Sequence, residues 1–397
     1  MTITGYFGAS YDQFSVSNAH ASRTGATSED RVSDQSSRII FGVKEDLGGG
    51  LAAIGQYDMR FNLDAAARAQ DETTTNITAN FAAGGNSHIG LQSASWGAVR
   101  AGRQDIYYVD TPSLLPGGLY LAANQQPVFH SLATANASRT PNLLWWVSPR
   151  MSGFEVTAAY STQGLVASKQ VEVESDMGGA TTRRGSSTML RLNYTNGPID
   201  ATVSTYNGVS DTNGQTAITG LTAGAAGATA KSNNDQKGTT LVVKYQVTPA
   251  LKVAAGLSDE QQIAVAAAAA VVAAANNASS AVAPAVAIGD TIKARATAWS
   301  ASYDLGAWNF AIAQSNRGNT KYNGVEQAAT GLSLTSVAAT YNFSKRTAAG
   351  LMFSTMKNDA NQASGLFYQS SSAYGGQFAN ARGENQNITS VAVRHNF

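Results

Sequence analysis

The chain has 397 residues, 13% of them charged, with 38 glycines, no cysteine and a formal net charge of +1. That balance excludes an acidic disordered chain, a strongly amphipathic helical one and a basic nucleic-acid binder. No run reaches the roughly 18–20 consecutive apolar residues of a membrane-crossing helix. The longest candidate, Ile263–Ala275, is mostly Ala and stops at Asn276 and Asn277. Thr2–Ser10 carries neither the basic segment nor the apolar run of a secretory leader, so an exported chain is expected here in its mature form.

In chain order, the dominant signal is alternation with period two over segments of about ten residues, the sequence form of a membrane-barrel strand. In 37–44, Ile39, Phe41 and Val43 oppose Arg38, Ile40, Gly42 and Lys44. In 51–61, Tyr57, Met59 and Phe61 oppose Gln56, Asp58 and Arg60. Further on, Leu241, Val243, Tyr245 and Val247 oppose Val242, Lys244 and Gln246, while Trp299, Ala301, Tyr303 and Leu305 oppose Ser300, Ser302 and Asp304. One face is apolar and the other hydrated.

A soluble sandwich alternates too, so the connections carry the decision. Short breaks at 47–50, 93–97, 148–153, 196–198, 248–250, 305–307 and 344–346 alternate with long polar segments at 13–34, 63–85, 105–139, 163–185, 210–237, 258–291, 317–330 and 358–383. Short turns on one rim and long loops on the other are the outer-membrane arrangement. Seven turns and eight loops predict an all-β, 16-stranded antiparallel transmembrane barrel, one domain over 1–397. An even count lets the first and last strands close antiparallel, leaving no unpaired backbone edge in lipid. All eight prolines fall in connections or at a strand's first residues, where no ladder hydrogen bond is lost. Beside the turns, Trp96, Phe154, Tyr194, Tyr303, Trp308, Tyr341 and Phe343 are placed to form an interfacial girdle. The segment 258–291 is expected to be an Ala-rich extracellular loop.

Ser37–Leu51, reading S-R-I-I-F-G-V-K-E-D-L-G-G-G-L, resembles the E-D-L-G-x-G-L signature region of Gram-negative trimeric porins, in the general diffusion branch typical of betaproteobacteria. Trp96–Gln104, Arg139 with Asn142–Phe154, and Val393–Phe397 (V-R-H-N-F) resemble further stretches of that family, in its order. The matches cover the first strands, the third loop and the last strand; the middle agrees in pattern only. The resemblance implies an outer-membrane homotrimer that sits among outer-membrane lipid and lipopolysaccharide and passes small hydrophilic solutes and ions. It also implies a third loop, 105–139, folded inward as a constriction, and Phe397 as the signal to the barrel-assembly machinery.

With the apolar face toward lipid, parity turns Arg38, Lys44, Arg60, Arg100, Arg191, Lys244, Lys252 and Arg394 inward against Asp58, Glu155, Asp200 and Asp304. The third loop carries no acid after Asp110 and ends in Arg139. A narrow passage focuses such a field, so a modest anion preference is expected, with Arg38, Arg60, Arg100 and Arg139 near the eyelet. Where the family often carries arginines before the fourth strand, this chain has Asn86, Ser87 and His88, which weakens that expectation. Trp145, turned to the lumen by the same alignment, either packs under a loop or stacks against an aromatic or sugar solute, with packing the favoured reading.

The four histidines, His20, His88, His130 and His395, show no metal-ligand spacing, and no cofactor or metal is expected. No G-x-S-x-G, P-loop or G-x-G-x-x-G occurs; His130 beside Ser131 is the one pair a barrel hydrolase could use, and an enzyme is not expected. Two alternatives remain open: a substrate-specific outer-membrane channel for small organic anions or aromatic acids, and a surface-adhesive β protein.

Overall fold

The computed structural model describes residues 1–19, 26–61, 63, 85–107, 119–120, 123–132, 140–162, 186–209, 235–264, 287–366 and 381–397. Its strands are β1 (Thr2–Ser17), β2 (Ser28–Asp34), β3 (Arg38–Gly48), β4 (Leu51–Arg60), β5 (Ser87–Ser93), β6 (Gly97–Gln104), β7 (Thr140–Val147), β8 (Phe154–Ser161), β9 (Ser186–Asn196) and β10 (Ile199–Val209). There follow β11 (Asp235–Gln246), β12 (Leu251–Ile263), β13 (Thr291–Leu305), β14 (Trp308–Arg317), β15 (Lys321–Tyr322), β16 (Val325–Glu326), β17 (Leu332–Asn342), β18 (Thr347–Asn358) and β19 (Asn385–Asn396). Among the described residues there is one short helix, α1 (Gln126–Phe129), between β6 and β7.

All strands belong to one antiparallel sheet. β2 and β3 are two halves of one crossing, broken at Gln35–Ser37, and β15–β16 is a small hairpin above the wall; the remaining crossings make a closed barrel of sixteen strands. Closure is direct: β1 pairs with β19 from Tyr6↔Asn396 to Ser17↔Asn385, and on its other edge with β2 and β3. The C-terminal Phe397 extends the seam, donating its N–H to the Gly5 carbonyl (3.1 Å) and accepting from Gly5 N–H (3.2 Å). Among the described residues the wall strands thereby close on themselves, as a hydrocarbon surrounding demands.

The alternation sorts as expected. Outward positions carry exposed apolar side chains, among them Leu144, Leu190, Leu241, Leu257, Trp299, Leu351 and Val391, while their sequence neighbours are buried inside. Near the turns, Phe154 and Tyr194 approach to 4.6 Å between ring centroids and Trp308 and Tyr341 to 5.0 Å, and the Trp146 indole donates to the Trp96 carbonyl (2.7 Å). These rings form the belt that an amphipathic aromatic makes at headgroup depth.

Four loop boundaries move. β1 runs to Ser17 and pairs with β2 (Gln13↔Asp30), so the first loop begins after Ser17 rather than at Gln13 and ends before Ser28 rather than at Asp34. β12 runs to Ile263, opposite Asp235 of β11, so the Ala-rich loop begins beyond Ile263 rather than at Ser258, and its 265–286 lie outside the described residues. β11 likewise starts at Asp235, inside the segment expected to be loop through Lys237. In β1 the hydrophobic alternation inverts, with Phe14 and Val16 buried inside and Gln13 and Ser17 exposed outside. In β11 and β12 both faces turn polar above the hydrocarbon, so the alternation fades while the ladder continues. The outward Arg295–Asp259 pair (2.7 Å) across β13 and β12 is such a place.

Candidate functional site: the arginine wall and the inward loop

The inner surface has two unlike halves. On β3, β4, β6 and β19 it carries a ribbon of arginines. Arg38 and Arg60 stand opposite each other in register and share Asp58, whose Oδ2 lies 3.7 Å from Arg38 Nη1 and 3.1 Å from Arg60 Nη2. The Asp58 side chain is 3% exposed against 19% and 18% for the two arginines, so the carboxylate sits behind the cations and the guanidinium faces reach the water. Arg394 stacks over the Tyr6 ring (3.7 Å) and Arg38 over the same ring (4.9 Å), which carries the ribbon across β1. Arg38 is further fixed by Ser36, through Nε to the carbonyl (3.1 Å) and Nη2 to Oγ (2.9 Å).

Arg103 joins this ribbon, within electrostatic range of Arg60, Asp58 and Asp105. Strict alternation from Arg100 would place it on the lipid side. A register shift between Gly102 and Gln104 turns it in, and Gly102 adopts φ +146° with the Ser87 carbonyl 2.2 Å from where a Cβ would stand. The signal available in the sequence was the Gly in mid-strand, which marks a bulge or close approach.

Asn86, Ser87 and His88, where the family's arginines were expected, brace the site instead. Asn86 N–H donates to Asp58 Oδ2 (3.3 Å), and Asn86 Oδ1 accepts from Asp105 N–H (3.1 Å) at the root of the third loop. Ser87 Oγ accepts from Asp58 N–H (3.2 Å). Gly85 is required here, because a Cβ would lie 1.8 Å from Asp58 Oδ2.

The other predicted inner residues fall on the same inner face but not in one cluster. Arg100 sits at mid-wall beside His88, Arg191 opposite Thr157 and Ser204, and Lys44 toward the turn end, opposite Ile54. Lys244 pairs with Asp200 (3.5 Å), Lys252 with Asp304 (3.7 Å), and Glu155 with Arg150 (3.5 Å). Each of the four acids assigned to the interior thus has a basic partner. Arg139 lies outside the described residues.

Where the loop after β6 lies against the wall, from β11 round to β19, the inner face is apolar at many positions, with buried polar residues such as Glu260, Arg317, Ser336 and Ser354 between them. Leu119, Tyr120, Ala123 and Val128 pack on Leu334, Met352, Met356 and Ile388. Phe129 of α1 fills a niche over Gly256, where a Cβ would come within 2.8 Å of its ring, and meets Val242, Ala296 and Ala298. Trp145 is 2% exposed and packs with Ile106, Tyr107, Leu143, Met189 and Tyr206, its ring edge-on to His88 at 5.4 Å. It faces inward but is covered by the root of the loop, so no face is open for a solute. Below the loop, a cavity of about 350 Å³ reaches Leu119, Lys252, Asp304, Thr340 and Arg394. His130 is 1% exposed and its Nδ1 meets Glu260 Oε1 at 3.0 Å; no ligand-competent cluster of His, Asp and Glu occurs among the described residues.

Comparison with known proteins agrees with this architecture. The fold matches the anion-selective porin from Comamonas acidovorans (TM-score 0.68, 19% identity, 100% of this chain and 99% of that one). It also matches the trimer form of the Vibrio cholerae outer membrane protein OmpT (TM-score 0.58, 11% identity, 100% and 99%). In sequence, an outer membrane porin protein of Bordetella pertussis is 30% identical over 172 residues, a stretch that spans 43% of this chain and 41% of that relative. The family model for Gram-negative porins matches residues 1–361, so the chain belongs to the Gram-negative porins, channels of the outer membrane.

Proposed function

We propose that the protein is a water-filled channel for passive diffusion of small hydrophilic solutes, with a modest preference for anions, working as a homotrimer. The observation that carries this reading is the ribbon Arg103–Arg60–Arg38–Arg394, which confronts the inward loop across the barrel with Asp58 tucked behind it. Cations presented on a low-dielectric wall raise the local anion concentration, and a loop without acid after Asp110 does not oppose them. Arg38, Arg60 and Arg100, with Arg139, are the residues assigned to the constriction. The pairing of Asp200, Asp304 and Glu155 with cations limits the preference elsewhere in the lumen to a modest one. The anion selectivity named for the Comamonas porin and the trimer named for the Vibrio protein point the same way.

The outward apolar band and its aromatic belt are the surface offered to outer-membrane lipid and lipopolysaccharide, and Phe397 is the residue offered to the barrel-assembly machinery. A passive pore needs no catalytic group, and His130 is engaged by Glu260 rather than Ser131. The decisive experiment is reconstitution in a planar bilayer under a KCl gradient. Discrete conductance steps with a reversal potential on the chloride side are expected; clear cation selectivity, or no conductance from folded trimers, would overturn the proposal.

A further inference from the structure

Among the described residues, the loop after β6 meets a charged side chain of the wall at Glu260. Glu260 is on the inner face of β12, flanked by Ser258 and Gln262 at the other inward positions, and is 2% exposed. Its Oε1 accepts from Tyr107 Oη (3.2 Å) and contacts His130 Nδ1 (3.0 Å); its Oε2 accepts from the Leu132 N–H (2.7 Å). Tyr107 lies at the start of the loop and His130 and Leu132 near its end, so a single carboxylate holds both legs. Gln262, two residues on, donates Nε2 to the Leu132 carbonyl (2.7 Å). Glycines clear the seats: a Cβ at Gly238 would stand 2.2 Å from Tyr107 Oη.

Three donors on one buried carboxylate are a strong, geometrically selective clamp, because each charge-assisted bond in a dry site exceeds its neutral counterpart. Arg317, within electrostatic range, supplies countercharge from β14. Elsewhere among the described residues the loop's footprint is mostly apolar contact, which is non-directional, with two neutral and longer polar contacts, Gln125 Nε2 to Ser336 Oγ (3.3 Å) and Tyr120 Oη to the Ala339 carbonyl (3.5 Å).

We propose that Glu260 is the positioning residue of the constriction, a latch that fixes how far the inward loop stands from the arginine wall and so sets pore width and selectivity. This rests on the reading of that loop as the constriction. The test is Glu260→Ala as the assembled trimer, read by single-channel recording in KCl. Conductance is expected to rise about 1.5-fold or more, with added open-channel noise and weaker ion selectivity, since the field focusing depends on narrowness. Trimer heat stability should fall, because the three donors and Arg317 lose a buried partner, while the intact strand ladder still allows assembly. Should that variant fail to assemble, the double variant Tyr107→Phe with His130→Phe removes two of the three donors and is expected to act in the same direction. Because the chain has no cysteine, Leu132→Cys with Gln262→Cys in the Glu260→Ala background gives a unique pair. Oxidation should return conductance toward the parent value and reductant should release it. Unchanged conductance and noise in an assembled variant overturn the latch. If shortening 108–118 also leaves conductance unchanged, the constriction reading itself has failed.

Discussion

Asp58 is the counterion of the arginine ribbon, and Asp58→Asn isolates its effect on permeation. The substitution keeps the size and leaves Arg38 and Arg60, now 3.7 and 3.1 Å from a neutral amide, with their charge uncompensated. An ion passing roughly 8 Å from that carboxylate in water gains or loses about 0.5 kcal/mol when one unit charge is removed. Anions are favoured and cations disfavoured by that amount, so the permeability ratio should rise about five-fold in dilute salt. At 0.15 M, where the Debye length is about 8 Å, screening cuts the energy to roughly a third and the change to about two-fold. The assay is the reversal potential across a bilayer under a KCl gradient, measured at two mean salt concentrations on trimers of parental heat stability. The reasoning is refuted if the ratio is unchanged or shifts toward cations, or if the effect grows with salt.

Parity can be tested at adjacent residues of β11: Val243→Arg places a charge on the lipid face at a cost of about 2–4 kcal/mol if near the bilayer midplane, whereas Lys244→Arg faces the lumen and should fold. Yields of folded trimer and urea melts in bilayers distinguish the two, and equal tolerance would contradict the inside–outside assignment. Trp145→Ala should cost about 3–5 kcal/mol by emptying the niche under the loop's root, seen as a lower trimer melting temperature; a small change would mean the indole is not load-carrying there. Between the loops beside β13 and β15, Asp290 accepts from Tyr322 Oη, from Asn323 Nδ2 (2.8 Å) and from Ala287 N–H (2.7 Å), which hold its carboxyl below the usual 3.8. A depressed carboxylate stabilises above its unfolded pKa and loses that contribution as pH falls through the folded value. Protease protection of this loop pair should therefore persist from neutral pH to near 4 and fade only below it, and Asp290→Asn should abolish that acid dependence.

The architecture was legible because it follows from local chemistry. Alternation at 51–61 and 299–305, the rhythm of short turns and long loops, and the placing of proline each depend on residues close in sequence, and together they give strand number, closure and sidedness. The inward positions of Arg38, Arg60 and Arg100 followed from parity alone. The alternation also marks the loop's footprint: Leu334, Met352 and Met356 are apolar at inward positions, where the loop packs on them. Arg103 escaped because one bulge at Gly102 inverts parity for everything after it. Glu260 escaped because β12 outlasts its hydrophobic pattern, so a wall residue looked like part of a loop.

What the sequence alone determined is therefore the cylinder: which side chains meet lipid, which meet water, and where the chain turns. Only the tertiary structure decided which inner residues meet. Asp58 lies between two arginines from adjacent strands, and Glu260 receives donors from a loop well over a hundred residues away in the chain. Periodicity fixes a direction for each side chain. The distance between side chains from remote segments depends on how the loop crosses the closed barrel, and no local pattern encodes that.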